Sequence, residues 1–183
     1  MKTEKEKLMA GLPYYSGDEE LTADRMYAKK MQLKINNEAD YSMKTKLLKE
    51  MFGSHGENLT VDGPIYFDYG YNIHVGENFY ANIGCIILDC SKITIGDNCM
   101  LAPNVQIYGV NHPLNAVERN TYIEYSKPVT IGNNAWIGGG AIILPGVTLL
   151  DNVVVAAGSV VTKSFEGNVL IAGNPAKIIK KIY

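Results

Sequence analysis

The sequence predicts a mainly β chain: a parallel solenoid of six-residue repeats with a helical cap at its N-terminal end. Three observations carry this. From Ile131 through Ile137, Ile143, Leu149 and Val155 to Val161 an aliphatic residue returns at every sixth position without a slip. The positions between them are small residues, Gly, Asn and Asp, which is turn chemistry. Before about Val61 the period is helical instead, so the chain divides into two regions, 1–56 and 57–183.

In the first region Ser16-x-x-Glu19 matches a capping box, and Leu21, Ala28, Met31 and Ile35 fall on one helical face. Asp40 or Ser42 starts a third helix. Its apolar stripe is Met43, Leu47, Leu48, Met51 and Phe52, and Gly53 is its stop. Such faces suit a cap that covers an end or edge of the main domain.

The second region opens with a less regular run at Val75. It is regular from Ile95 through Leu101 to Ile107, breaks, and resumes at Val129. If three hexapeptides make one triangular coil, the aliphatic residues point inward and stack, and each coil hydrogen-bonds to the next at about 4.8 Å. One coil cannot bury itself, and the region holds roughly five or six coils of about 18 residues. Handedness does not follow from the repeat. The break, an excursion at about 108–128, contains Tyr108-Gly-Val-Asn-His-Pro. A coil that interrupts its own repeat sends a loop off a rigid body, and such loops are where sites lie. The chain closes on a basic segment, Ala176-Lys-Ile-Ile-Lys-Lys-Ile, predicted as a short helix or tail. Ile178, Ile179 and Ile182 would anchor it, with Lys177, Lys180 and Lys181 facing outward.

The totals narrow the function classes. A net charge of -2 provides no field for nucleic acid, so an anionic ligand must be met by a local basic cluster. The cysteines, Cys85, Cys90 and Cys99, are odd in number and form no C-x-x-C, which fits a reduced cytoplasm rather than a disulfide framework or zinc knuckle. No run of about 18 uninterrupted apolar residues occurs, so no membrane span is expected.

Several stretches are distinctive together: Asp68-Tyr-Gly-Tyr-Asn, Asn78-Phe-Tyr-Ala-Asn82, Ile95-Gly-Asp-Asn-Cys-Met-Leu-Ala-Pro, His112-Pro, Lys127-Pro-Val-Thr-Ile-Gly-Asn-Asn and Gly173-Asn-Pro-Ala-Lys. On these the chain resembles the hexapeptide-repeat acyltransferases, and within them the maltose and galactoside O-acetyltransferases. Lys127-Pro and Asn174-Pro lean toward the maltose branch. The resemblance implies a left-handed parallel β-helix and a homotrimer with active sites between subunits. It also implies acetyl-CoA as co-substrate and a sugar hydroxyl as acceptor.

His112 is the expected general base. A thioester is already an activated acyl donor. What remains is to remove the hydroxyl proton during attack, a role worth about 10²–10⁴-fold for a positioned His. Direct attack in a ternary complex then needs no enzyme nucleophile. His55 and His74 are expected to be surface or packing residues, and no metal is expected to be required, since the three histidines lack the clustering of a zinc site.

For the acceptor, the resemblance points to Asp68 and Asn82, and from the cap to Ser16, where relatives carry an acid. Galactoside-type enzymes commonly carry Ser at the position of Asp68. Tyr80 is a candidate for stacking on a sugar face, and Glu124 for binding a hydroxyl or the His112 ring. For the donor, Gly138-Gly-Gly140 offers backbone amides without side chains. By resemblance the Gly139 amide meets the acetyl-CoA arm, where it would also stabilise a developing oxyanion. Ala157, Thr162 and Lys163 match further donor contacts. Lys177 and Lys180 stand where galactoside-type enzymes use Arg, keeping the charge but losing the bidentate geometry. Trp136 is expected to pack at a coil corner or a subunit interface. Two other functions fit the same fold: acetylation of an antibiotic hydroxyl, and a non-catalytic structural solenoid.

Overall fold

Beyond Leu59, strands of two to five residues stack into three parallel sheets in a computed structural model that describes residues 2–183. Sheet I begins at Leu59–Val61 and runs through Phe79–Ala81, Met100–Leu101, Trp136–Ile137 and Val153–Val155 to Val169–Gly173. Sheet II begins at Ile65–Phe67 and ends at Val160–Val161. Sheet III begins at Ile73–Val75 and ends at Thr148–Leu149. The chain visits I, II and III in turn, so the sheets are the sides of a triangular coil. The aliphatic residues are its filling: Val61, Ala81, Leu101, Ile137, Val155 and Ile171 form one buried column, and Phe67, Ile87, Ile107, Ile143 and Val161 another.

The register explains the uneven repeat. Thr60 lies opposite Tyr80 and Tyr80 opposite Met100, a step of 20 residues. Trp136 lies opposite Val154, a step of 18, and Val154 opposite Leu170, a step of 16. The early coils are longer by two residues, so strict six-residue spacing fails there while the stacking continues. Sheet III turns into sheet I at asparagines. Asn78, Asn98, Asn134 and Asn152 all adopt left-handed backbone with φ of 55–57°. Some also join side chain to side chain: the Asn78 amide donates to Asn98 at 2.8 Å, and that of Asn98 to Asn134 at 3.3 Å.

The cap has three helices, α1 (Glu4–Met9), α2 (Glu19–Asn37) and α3 (Tyr41–Met51). Helix α1 was given no bounds from the sequence. It carries its own capping box, Thr3 with Glu6, and buries only Leu8. Asp18, not Ser16, caps α2, its carboxylate accepting from the Glu20 and Leu21 amides. The Ser16 hydroxyl donates instead to the Tyr122 carbonyl. Asp40 caps α3. Leu21, Ala28, Met31 and Ile35 are buried as their spacing predicts, as are Leu48, Met51 and Phe52, but Met43 is exposed. The cap also closes the free edge of the first coil. The Gln32 amide exchanges hydrogen bonds with the backbone of Phe67, Asn36 does the same with Ile65, and the Thr45 hydroxyl donates to the Leu59 carbonyl. These side chains stand in for a missing neighbouring strand.

At the other end the basic segment is neither helix nor tail. Ala176–Lys181 folds back as a strand antiparallel to Val169–Gly173, with the turn at Gly173-Asn174-Pro175. Ala176 is buried, whereas Ile178 and Ile179 are exposed and do not anchor the segment within one chain. Trp136 is not at a corner but lies half-exposed on the flat outer side of sheet I beside Met100.

Candidate active site

The excursion leaves the solenoid at Gly109 and returns at Lys127, whose amide donates to the Gly109 carbonyl at 2.9 Å. It is more ordered than a loop. Val110–Asn111 and Ile123–Ser126 pair antiparallel, with a one-turn helix, α4 (Ala116–Arg119), between them. From the cap, Tyr14–Tyr15 adds to the other edge of Ile123–Ser126. His112 follows directly on the first strand. The next residues are held by the buried ring of Pro113 and by the Arg119 guanidinium, which donates to the carbonyls of Pro113 and Leu114 at 3.0 Å each. His112 is thus an exposed imidazole on a braced backbone.

A cavity of about 340 Å³ lies beside it, lined by Ser16, Arg25, Asp68, Tyr69, Cys90, Glu124 and His112 among others. Four residues expected from sequence, Ser16, Asp68, His112 and Glu124, therefore share one space. A second cavity of about 600 Å³ on the excursion side takes in Asn111, His112, Glu118, Tyr125 and Lys127.

The cavity floor is the turn from sheet II to sheet III. Asp89, with no exposed surface, accepts the backbone amides of Asp68, Tyr69, Gly70 and Asn72 at 2.7–3.3 Å. Burial pushes its carboxyl up to about 7 against the pull of those amides. Asp68 sits on this templated turn. Its carboxyl is also raised, chiefly by burial, and accepts the Cys90 thiol at 3.2 Å. Arg25, on α2, donates to the Tyr69 hydroxyl at 2.7 Å and to the Ser16 carbonyl at 2.6 Å. Sequence reasoning missed Arg25, Asp89 and Cys90. Arg25 is one of 17 Lys and Arg residues, with no local signal to single it out.

The other expected residues lie elsewhere on the chain. Asn82, Gly139 and Ala157 occupy the corner where sheet I turns into sheet II. There the Gly140 amide donates to the Pro103 carbonyl and the Gly158 amide to the Gly139 carbonyl. Around Gly140 and Gly158 this corner is open, with nothing within 4 Å of where a Cβ would stand. A Cβ at Gly139 would lie 3.2 Å from the Pro103 carbonyl oxygen, and among the described residues the Gly139 amide donates to no protein acceptor. Gly138 serves stacking: a Cβ there would come within 2.6 Å of the Ala157 amide. Tyr80 faces outward from sheet I with its hydroxyl on Asp62, away from the His112 cavity.

At the far end a groove of about 720 Å³ brings Lys163 together with Lys177 and Lys181 beside Phe165 and Tyr183. Lys180 lines no part of it. Thr162 is exposed just before Lys163. His55 is exposed, and His74 accepts or donates to the Ser54 hydroxyl at 2.9 Å. Among the described residues no three His, Cys, Asp or Glu side chains are grouped to hold a metal, and no helix is long and apolar enough to cross a membrane.

Residues 7–56 match the maltose acetyltransferase hexapeptide capping motif, and residues 128–163 match the bacterial transferase hexapeptide repeat. The chain is 43% identical to the galactoside O-acetyltransferase of Escherichia coli K12, over 97% of this chain and 88% of that protein. It superposes on a maltose O-acetyltransferase from Clostridium difficile 630 with a TM-score of 0.97 and 55% identity, covering 100% and 98% of the two chains. A galactoside acetyltransferase in complex with coenzyme A superposes with a TM-score of 0.95 at 42% identity, covering 100% and 92%. The repeat, the cap and these likenesses over the whole length agree: the chain belongs to the hexapeptide-repeat acetyltransferases of the maltose and galactoside O-acetyltransferase type.

Proposed function

We propose that this enzyme transfers acetyl from acetyl-CoA to a hydroxyl of a sugar of the maltose or glucose type, with His112 as general base. The observation that carries the reading is the His112 cavity. Its polar lining, Ser16, Arg25, Asp68 and Glu124, is matched to vicinal hydroxyls, which supply both donors and acceptors. An acceptor poor in hydroxyls would leave those groups unpaired. His112 takes the hydroxyl proton as the acceptor oxygen bonds to the thioester carbonyl carbon. The C–S bond then breaks, and the proton passes to the departing thiolate of CoA. The free Gly139 amide suits the developing oxyanion. Ala157 and Thr162 would line the path of the donor arm, and Lys163 and Lys177 would meet its phosphates, with Lys181 in the place expected for Lys180.

In this reading the working unit is a homotrimer. The His112 cavity lies at the corner between sheets II and III, whereas Asn82, Gly139 and Ala157 lie at the corner between sheets I and II. Apposition of these two corners from neighbouring copies brings base and donor groove together, and Asn82 and Tyr80 of the second copy then approach the acceptor. The exposed Met100 and Trp136 on sheet I supply apolar surface for such contact. Three buried, unpaired cysteines suit a reducing, cytoplasmic setting.

The test is acetyl-CoA-dependent release of CoA with glucose, maltose, galactosides and chloramphenicol as acceptors. Turnover is expected with the sugars, and His112→Ala should lower kcat by about 10²–10⁴-fold. Turnover with chloramphenicol alone, or an unchanged kcat in His112→Ala, contradicts the reading.

A further inference from the structure

We infer that Tyr14 is a positioning residue for the transfer: the buried phenol of the cap fixes the Glu124 carboxylate at the wall of the His112 cavity. The inference rests on the reading of that cavity given above. Tyr14 has no exposed surface and packs with Leu8, Leu21, Tyr69 and Cys90 in a small core of its own between cap and solenoid. Its hydroxyl donates to Glu124 Oε2 at 2.5 Å, and the two residues are register partners in the antiparallel pair. Among the described residues, Oε1 of Glu124 takes no hydrogen bond from the protein. One carboxylate oxygen is thus held while the other is left to the cavity.

The strand carrying Glu124 needs this support. It belongs to the excursion, which is joined to the solenoid through one short hairpin. On its other edge it has only the cap. The Ser16 amide and hydroxyl both donate to the Tyr122 carbonyl, and the Ser126 hydroxyl donates to the Leu8 carbonyl. These bonds fix the backbone on either side of Glu124 but leave its side-chain torsions free. The Tyr14 phenol removes that freedom. Burial, with Cys90 and Glu124 beside it, holds the phenol well above its ordinary titration range, so it stays a donor at any working pH. The cap then does more than close the first coil: it supplies a contact on which the geometry of the cavity depends.

A double-mutant cycle tests this. Steady-state kcat and KM for a sugar acceptor and for acetyl-CoA are measured in the wild type, Tyr14→Phe, Glu124→Gln and the double variant, with Tm recorded for each. Phe keeps the ring that fills the small core. Tyr14→Phe should lower kcat about tenfold, a part of what a positioned base contributes, with KM for acetyl-CoA unchanged. Glu124→Gln should lower kcat at least as far, and adding Tyr14→Phe to it should change little. A wild-type kcat in Tyr14→Phe beside an impaired Glu124→Gln overturns the role of Tyr14 alone. The same fold-loss from Tyr14→Phe in both backgrounds overturns it too, since Tyr14 would then act on the fold and not through Glu124. A wild-type kcat in Glu124→Gln overturns the role of Glu124 and that of Tyr14 with it.

Discussion

Asp89 shows how one residue can decide the shape of a site without entering it. Four backbone amides converge on a buried carboxyl that, among the described residues, forms no salt bridge. Burial favours the neutral acid, the amides favour the ion, and the balance stands at about 7. An aspartate in the unfolded chain titrates near 3.9, so the unfolded state loses its proton first as pH rises. The contribution of Asp89 is therefore fully present below about pH 4 and declines as pH climbs to 7 and beyond. Unfolding midpoints at pH 5 and pH 8 should fall for the wild type and fall less for Asp89→Asn, which cannot ionise. Equal slopes in the two proteins would contradict this. Asp89 was invisible in the sequence because Leu88-Asp-Cys-Ser reads as an ordinary turn. Its partners lie about 20 residues earlier and meet it only when coils stack. The place of His112 on an excursion was legible for the opposite reason: it sits where a regular repeat breaks.

At the scale of elements, the corner asparagines repeat one solution. Each takes a left-handed backbone that disfavours other side chains, and where they line up their amides bond from coil to coil. Asn98→Gly keeps the backbone and loses the ladder, at a cost of about 1 kcal/mol. Asn98→Ala adds the strain of a left-handed alanine, for a total of about 2 kcal/mol or more. Denaturant unfolding at fixed protein concentration checks the order, and an alanine variant as stable as the glycine one would contradict it. The elements also mark how far pattern reading reaches. The strands from Ile131 to Val161 were legible because their spacing is local. The terminal strand was not: Lys-Ile-Ile-Lys-Lys fits helix and strand alike, and pairing with Val169–Gly173 decides between them. Ser16 matched a capping box, but the excursion strand, more than 100 residues away, claims its hydroxyl, and Asp18 takes the cap. Helix α1 buries a single side chain, too little for a periodic signal.

At the scale of the whole molecule, the division of residues between corners matters most. The repeat predicted a triangular coil, but which corner each candidate occupies depends on coils of 20, 18 and 16 residues and on the excursion. Within one chain the candidates of the His112 cavity stand apart from those of the Gly139 corner, and Lys163 and Lys177 gather in a third place at the far end. In the proposed trimer the site would be a property of the assembly, with His112 of one copy working on a donor held along the Gly139 column of the next. Two inactive variants test this directly. His112→Ala removes the proposed base, and Gly139→Leu puts a side chain in the proposed path of the donor. Each alone should form inactive trimers. Unfolded together in equal amounts and refolded, they should regain about a quarter of wild-type activity, because at random a quarter of the interfaces pair an intact His112 with an intact Gly139. A mixture as inactive as its parents would place base and donor groove in a single chain and contradict the account.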